Sequence, residues 1–175
     1  MGSLLVVAGP PGAGKSTVAT ILASRADRSV LVEGDAFHGF LATGRIPPWL
    51  PESNDQNNTV IDASAVATGA FVRGGYTTVF DGIVGPWFLA RFHAASGLDE
   101  LDYVVLMPDV DVCRGRVESR ARASFSDLEA TAKMHHEFST ATLDQRHVIT
   151  DLATPEAMAD LVESARDGGR LRVIR

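Results

Sequence analysis

The residues best suited to chemistry begin with the run GPPGAGKS at positions 9–16. Its glycines let backbone N–H groups turn inward around phosphate oxygens, and the Lys15 ammonium would reach the β and γ phosphates of a nucleoside triphosphate. The Ser16 hydroxyl would ligate Mg²⁺. The run follows G-x-x-x-x-G-K-[ST] in full and lies between an apolar strand-like run and a helical pattern, as this motif requires. We predict ATP and Mg²⁺ as cofactors. The predicted nucleotide-binding residues of the loop are Gly9, Pro11, Gly12, Ala13, Gly14, Lys15, Ser16 and Thr17.

A second reactive stretch is VEGDAFHGF at positions 32–40, which follows another apolar run. Phosphoryl transfer mainly requires that the reacting groups are aligned and that their charge is neutralised. On the acceptor side, one carboxylate that accepts the proton of the attacking hydroxyl is therefore sufficient. Asp35 is the candidate, and His38, one helical turn further on, would point the same way and bind the substrate. Two structural alternatives stay open: Asp35 caps the helix that follows Gly34, and His38 has no catalytic task.

A third stretch, TTVFDGIVGPWF at positions 77–88, again places a carboxylate at the end of an apolar run. Ligands of open α/β sheets lie at the carboxyl ends of the strands, so Asp81 should lie near Lys15. Asp81 would either hold Mg²⁺ or contact the substrate, unless it merely forms a turn with Gly82. Trp87 would wall an acceptor pocket or pack into the core.

The segment at positions 42–58 is long and irregular in pattern, with three prolines and many polar residues. We interpret it as a substrate flap. Its Arg45, Trp49, Gln56 and Asn57 offer one charge, one flat apolar face and two amides. Such groups suit a polyhydroxylated or cyclic small molecule.

The elements that position these residues follow from hydrophobic patterning. Strand-like apolar runs occur at residues 4–8, 30–33, 77–80, 103–107 and 147–150, with helical patterns between most of them. Alternating strands and helices predict an α/β three-layer sandwich around a five-stranded parallel sheet, in one domain spanning residues 1–175. Ser126 and Glu129 have the spacing of a helix capping box.

Composition narrows the class of protein. A formal charge of -6 makes a nucleic-acid partner unlikely, because phosphate contacts need a basic face. The single cysteine, Cys113, excludes an internal disulfide framework and suits a buried helix position. No stretch is long enough to span a membrane, and the apolar start lacks a basic leader, so we expect a cytoplasmic protein. The sequence carries no signal for an oligomeric state.

The order strand, P-loop, helix, strand and then GDAFH resembles the gluconate kinase group and its relatives, the chloramphenicol phosphotransferases and zeta-toxin-like kinases. The resemblance implies a P-loop kinase fold in which the aspartate after the second strand, Asp35 here, faces the γ-phosphate. Gluconate kinases carry a run of basic and acidic residues in the region of the flap. This chain lacks that run, which argues against gluconate itself as the acceptor.

An arginine-rich run, RGRVESRAR, occupies positions 114–122. Arg116 and Arg120 resemble the lid-entry pair of adenylate-kinase-like enzymes, which implies a lid over residues 116–137. By that resemblance Arg116 stacks on adenine and Arg120 reaches the transferring phosphate, with Arg122 as an alternative. A solvated basic helix face is the structural alternative. The resemblance to the gluconate kinase group implies that residues 151–154, after the last predicted strand, border the base.

These features together predict an ATP-dependent kinase that phosphorylates a hydroxyl of a small metabolite or natural product, such as a sugar acid or an antibiotic. Motors and AAA machines usually need further domains, and a GTPase switch needs an N-K-x-D sequence, which is absent. A nucleoside or nucleotide kinase, a polynucleotide kinase and a non-catalytic ATP-binding regulator stay open as alternatives.

Overall fold

A computed structural model describes residues 2–119, 127–150 and 154–175. Its centre is a sheet whose five parallel strands lie in the order β2-β3-β1-β4-β5, which confirms the predicted fold class. A sixth strand, which the sequence did not suggest, pairs antiparallel with the beginning of β4. The strands are β1 (Ser3–Ala8), β2 (Ser29–Glu33), β3 (Thr77–Asp81), β4 (Glu100–Leu106), β5 (Val148–Ile149) and β6 (Arg172–Ile174).

Helices cover both faces of the sheet, which explains why its central strands are apolar throughout. Successive side chains of β1 point to opposite faces, so Leu5 and Val7 enter one core and Leu4 and Val6 the other. The first core includes side chains of α1 and α7, and the second those of α3 and α4. The helices are α1 (Lys15–Ser24), α2 (Gly34–Gly39), α3 (Asn54–Arg73), α4 (Pro86–Ser96), α5 (Val110–Ser119), α6 (Leu128–Thr140) and α7 (Pro155–Asp167).

The irregular segment predicted over residues 42–58 is shorter than expected. A 3₁₀ turn covers Pro51–Ser53, and α3 already begins at Asn54, so the last five residues of the predicted flap are helical. Their polar side chains suggested a loop because Asn and Asp usually favour turns. In the structure Asp55 instead lies in the first turn of α3, where a negative charge suits the helix dipole. We keep the name flap for residues 41–53.

The predicted capping box at the start of α6 is also wrong. Asp127 is the N-cap residue, and its side chain accepts a hydrogen bond from the Ala130 backbone N–H at 2.9 Å. Ser126 lies outside the described residues. Asp127 and Ser126 are both good capping types, and only the position where the backbone becomes helical decides between them.

Parallel pairing brings the carboxyl-terminal ends of the three strands β1, β2 and β3 together at one edge of the sheet. Asp81 at the end of β3 is the register partner of Glu33 on one side and of Val7 on the other. The glycine loop follows β1 directly, so it lies beside the residues that end β2 and β3. The sheet therefore sets the position of the candidate site.

No helix within the described ranges is long and apolar enough to cross a bilayer.

Candidate active site

The loop of residues 9–16 forms a turn that only glycine can make. Gly12 and Gly14 have φ values of 79° and 93°, and α1 begins at Lys15 with Gly14 as its N-cap. A Cβ atom on Gly12 would lie 2.3 Å from the carbonyl oxygen of Cys113 in α5, so the loop packs directly against that helix. Loop amides and the amino end of α1 therefore converge where an anion would bind.

Two cationic side chains flank this loop. The Lys15 ammonium donates a hydrogen bond to the carbonyl oxygen of Pro10 at 3.0 Å, which holds it over the loop. Arg116 in α5 reaches the loop from the other side, with Nη1 3.4 Å from the carbonyl oxygens of Gly12 and Ala13. The contact places Arg116 at the loop, while its stacking on a base stays a prediction. Arg120, Arg122 and residues 151–153 lie outside the described residues.

Asp81 is a buried carboxylate at the end of β3, with 8% of its surface exposed. Burial raises the pKa of Asp81, and Glu33 and Asp35 act in the same direction, whereas the charge of Lys15 and a hydrogen bond from Ser16 oppose the shift. Its Oδ1 atom has no hydrogen-bond partner among the described residues. Such an unsatisfied buried oxygen is costly unless something binds it.

The Asp81 carboxylate and the Ser16 hydroxyl fit a Mg²⁺ site. Mg²⁺ prefers oxygen ligands and usually takes only one or two from protein, with phosphates and water completing its shell. The unpartnered Oδ1 of Asp81 next to Ser16 matches that need. No cluster of three or more His, Cys, Asp or Glu side chains that could hold a metal occurs in the described part of the chain. A Mg²⁺ site that is shared with nucleotide phosphates does not need such a cluster, because the phosphates supply some of the ligands.

Asp35 lies in the first turn of α2, with its side chain exposed. The N-cap of this short helix is Glu33, and no side chain forms a capping hydrogen bond there. The structure therefore gives the Asp35 carboxylate no capping role. His38, further along α2, lies with Nε2 3.4 Å from Oδ1 of Asn57 in α3. This contact joins α2 to the helix behind the flap.

One cleft of about 1260 Å³ connects the loop, α2, the flap and α4. It brings together most of the site residues predicted from the sequence. Its lining includes Pro11, Gly12, Lys15, Ser16, Asp35, His38, Arg45, Trp49, Asp81 and Trp87. Gly9, Ala13, Gly14, Thr17 and Arg116 do not line it, although all five belong to the loop, to the first turn of α1 or to the arginine contact with the loop.

The flap is held against α3 by two side-chain amides. Gln56 accepts a hydrogen bond from the Ile46 N–H at 2.8 Å and donates one to the Ile46 carbonyl at 2.7 Å. Asn57 donates to the Pro48 carbonyl at 2.7 Å and to the Ser53 hydroxyl at 2.9 Å. The sequence interpretation offered both amides to a substrate. That interpretation is wrong for Gln56, whose amide oxygen and nitrogen both bind the flap backbone.

Several cleft residues were missed by the sequence analysis. Lys133 and Met134 of α6 line the cleft, and the Lys133 ammonium donates a hydrogen bond to the Trp49 carbonyl oxygen of the flap at 3.3 Å. Glu33 and Arg91 also line it. No local pattern marks Arg91, Lys133 or Met134, because their place depends on how α4 and α6 pack; Glu33 instead lies at the end of β2, in the stretch that also carries Asp35.

Comparison with known proteins gives the same picture of the fold. A family model described as an AAA domain (AAA_33) matches residues 4–145. No characterised protein with a curated sequence is similar to the chain at a significant level. The matched region is a single domain, without the additional domains that AAA machines usually have.

Three solved structures illustrate the similarity. A sugar kinase from Janibacter sp. HTCC2649 is 19% identical with a TM-score of 0.74, and the alignment covers 95% of each chain. The APS kinase CysC of Mycobacterium tuberculosis, in complex with AMPPNP and APS, is 15% identical with a TM-score of 0.67, covering 95% of this chain and 98% of that one. A gluconokinase from Sinorhizobium meliloti 1021 is 20% identical with a TM-score of 0.59, covering 95% and 90%.

These structures are small P-loop kinases, so the resemblance read from GPPGAGKS and GDAFH is confirmed. The chain belongs to the AAA domain family AAA_33 and has the fold of small P-loop kinases.

Proposed function

We propose that the protein is an ATP-dependent kinase that transfers the γ-phosphate to a hydroxyl group of a small molecule. The observation that carries the proposal is that the Asp35 carboxylate, Lys15 and Asp81 line one cleft. A protein that only binds nucleotide needs the loop and Lys15 but no carboxylate facing an acceptor space. The kinase fold of the structural neighbours supports the same class of reaction.

Each residue has a defined task in this proposal. The loop amides and Lys15 hold the triphosphate and neutralise charge on the transferring phosphoryl group. Asp35 accepts the proton of the attacking hydroxyl as the new O–P bond forms and the bond to ADP breaks. Arg116 of α5 hydrogen-bonds to the loop backbone and would place its guanidinium next to the phosphates. Arg120 is proposed to reach the transferring phosphate from the lid.

When bound, Mg²⁺ would act as a Lewis acid that offsets negative charge on the phosphates. Ser16 and Asp81 are the residues that would hold it. The substrate side of the cleft is assigned to His38, Arg45, Trp49 and Trp87. ATP and Mg²⁺ are supplied in the cytoplasm, where we place the reaction.

The test is an ATP-consumption screen of purified protein with Mg²⁺ against hydroxyl compounds of several classes, with the product identified by ³¹P NMR. We expect one class to stimulate ADP release and to acquire a phosphate ester. In Asp35→Asn, transfer should fall by roughly two orders of magnitude or more, the usual size of a general-base contribution, while ATP affinity changes only a few fold.

The matched control is Asp27→Asn. Asp27 is exposed and lies away from the cleft, and the same charge is removed. Unchanged transfer in Asp35→Asn would remove Asp35 from the mechanism. Tight ATP binding without transfer to any compound would instead indicate a nucleotide-binding regulator.

A further inference from the structure

The acceptor half of the cleft differs from what the sequence suggested, and the difference bears on the substrate. This inference rests on the proposed kinase function and specifies its acceptor. The amides of Gln56 and Asn57, the best candidates for binding sugar hydroxyls, are hydrogen-bonded to the flap. A polyol that entered here would lose hydrogen bonds to water without replacing them from these residues.

Most of the cationic side chains in the acceptor half of the cleft are already paired with carboxylates. Arg91 forms two hydrogen bonds with Asp62, at 2.7 and 2.6 Å, so its guanidinium is engaged by a carboxylate. Lys133 lies 3.9 Å from Glu137 and also contacts the flap backbone. Arg45 is the one cation of the acceptor side that forms no ion pair within the described ranges.

The acceptor half of the cleft is lined by polar side chains, Asn54 and Asn58 among them, and also by apolar and aromatic ones. The apolar and aromatic residues include Val60, Ile83, Phe88 and Met134 as well as the two tryptophans, Trp49 and Trp87. Trp87 keeps 44% of its surface exposed although it faces a cleft. Such an exposed aromatic ring would bury apolar surface if a flat ligand stacked on it.

The Trp87 ring is held in place from two sides. Its centroid lies 5.1 Å from that of Phe138 in α6. On the other side, a Cβ atom on Gly85 would lie 2.3 Å from the ring, so the ring rests on backbone that only glycine leaves uncovered. A fixed aromatic wall binds a flat ligand without first losing rotamer freedom.

We propose that the acceptor is a hydroxyl compound with a flat apolar body, an aromatic or fused ring, carrying at most one anionic group. Trp49 and Trp87 contact that body, Arg45 pairs with the anion where there is one, and Asp35 receives the proton of the hydroxyl. Polyols and sugar acids should be poorer acceptors, because they present no ring to Trp49 and Trp87 and because Arg91 and Lys133 are already paired with carboxylates.

The chain provides its own probe for this proposal, since its only two tryptophans both line the cleft. Tryptophan fluorescence in Trp49→Phe and in Trp87→Phe reports on each position separately and needs no turnover. Titrations would compare glycerol, gluconate and hydroxylated aryl compounds, from 3-phenyl-1,2-propanediol to fused-ring alcohols. We expect saturable changes with aryl compounds alone. The same panel enters the ATP-consumption assay.

Trp49→Ala should raise the acceptor KM by about tenfold or more and leave the KM for ATP nearly unchanged, since truncating an aromatic anchor commonly costs that much affinity. Phe71→Ala is the control, because Phe71 is an exposed aromatic of α3 outside the cleft. It should leave both constants unchanged.

The two proposals fail in different ways. Transfer to gluconate or glycerol in preference to every aryl compound would overturn the acceptor class and leave the kinase intact. Saturable binding of aryl compounds, with no phosphate transfer to any compound of the panel, would support the aromatic site and overturn the kinase proposal. If the tryptophans respond to none of the compounds, the acceptor class is wrong.

Discussion

Glu33 and Asp81 are register partners at the carboxyl ends of two adjacent parallel strands, β2 and β3. This pairing places Asp35, two residues beyond Glu33, at the same edge of the sheet as Asp81 and the glycine loop. It also gathers carboxylates, which is why both Glu33 and Asp35 contribute to the raised pKa of Asp81. A cation such as Lys15 or Mg²⁺ is then needed to balance the charge.

The first prediction concerns the fit of the glycine loop against α5. Gly12→Ala should strongly weaken nucleotide binding, because the new methyl group would lie 2.3 Å from the Cys113 carbonyl oxygen. Gly169→Ala is the control: its φ of 70° carries a similar backbone penalty, roughly 1–2 kcal/mol, but nothing lies within 4 Å of the added carbon. Equilibrium binding of an ATP analogue, with the melting temperature of each variant, checks this. Equal losses of affinity in both variants would contradict it.

The second prediction concerns the flap. Gln56→Ala removes two hydrogen bonds to the Ile46 backbone and should release the flap from α3. The loss of each hydrogen bond should cost about 0.5–1.5 kcal/mol of net stabilisation. We expect increased hydrogen exchange over residues 41–53 and a higher acceptor KM, with ATP affinity kept. Gln145→Ala changes the only other glutamine, which is exposed, and should alter neither quantity. Protection of the flap in Gln56→Ala would show that other contacts hold it.

The third prediction is that the protein loses stability by keeping Asp81 charged. The folded pKa of Asp81 is raised by burial, so below the unfolded pKa the group is protonated in both states and costs nothing. As the pH rises through the folded pKa the penalty develops fully. Asp81→Asn should therefore raise the Tm at pH 7 by about 2–4 °C for each kcal/mol removed, and the gain should vanish near pH 4. Thermal melts at both pH values, with Asp27→Asn as control, decide this. A lower Tm at pH 7 would mean that Lys15 and Ser16 stabilise the carboxylate more than burial destabilises it.

The same variant tests the metal site. Mg²⁺ added with ATP should raise the Tm of the wild type more than that of Asp81→Asn, since a ligand stabilises the state that binds it. An equal response of the two proteins would move the metal away from Asp81.

The fourth prediction concerns His93, which is buried in α4 with no hydrogen-bond partner for Nε2 among the described residues. Burial, and to a smaller degree the charge of Arg175, lower its pKa, while Asp99 and the Leu98 backbone oppose this. The unfolded chain therefore takes up a proton first as the pH falls below about 6.5, and the free energy of unfolding decreases. One histidine contributes at most about 1.4 kcal/mol per pH unit.

Denaturant unfolding between pH 7.5 and 5.5 measures that slope. His93→Gln should flatten it, whereas His136→Gln, at an exposed position of α6, should leave it as in the wild type. An unchanged slope in His93→Gln would assign the pH dependence to His147, whose pKa burial also lowers.

The sequence by itself determined the five parallel strands of the sheet, the glycine loop and the two carboxylates. Buried parallel strands must be apolar throughout, and a phosphate-binding turn must have glycine where φ is positive, so both leave unmistakable local patterns. The positions of Asp35 and Asp81 followed because Asp81 ends such a strand and Asp35 lies two residues beyond the end of another. None of these inferences needed to know which helix packs against which.

Only the tertiary structure decided what the flap and α6 do. From the sequence, Gln56 is a residue type that could bind a substrate. In the fold its amide is hydrogen-bonded to the Ile46 backbone, which lies ten residues away along the chain. Lys133, Met134 and Phe138 lie some 80 residues or more from the flap along the chain, and packing across the sheet places them beside it or beside Trp87. Local residue types specify which groups can react, whereas contacts between distant segments specify which of those groups are already engaged.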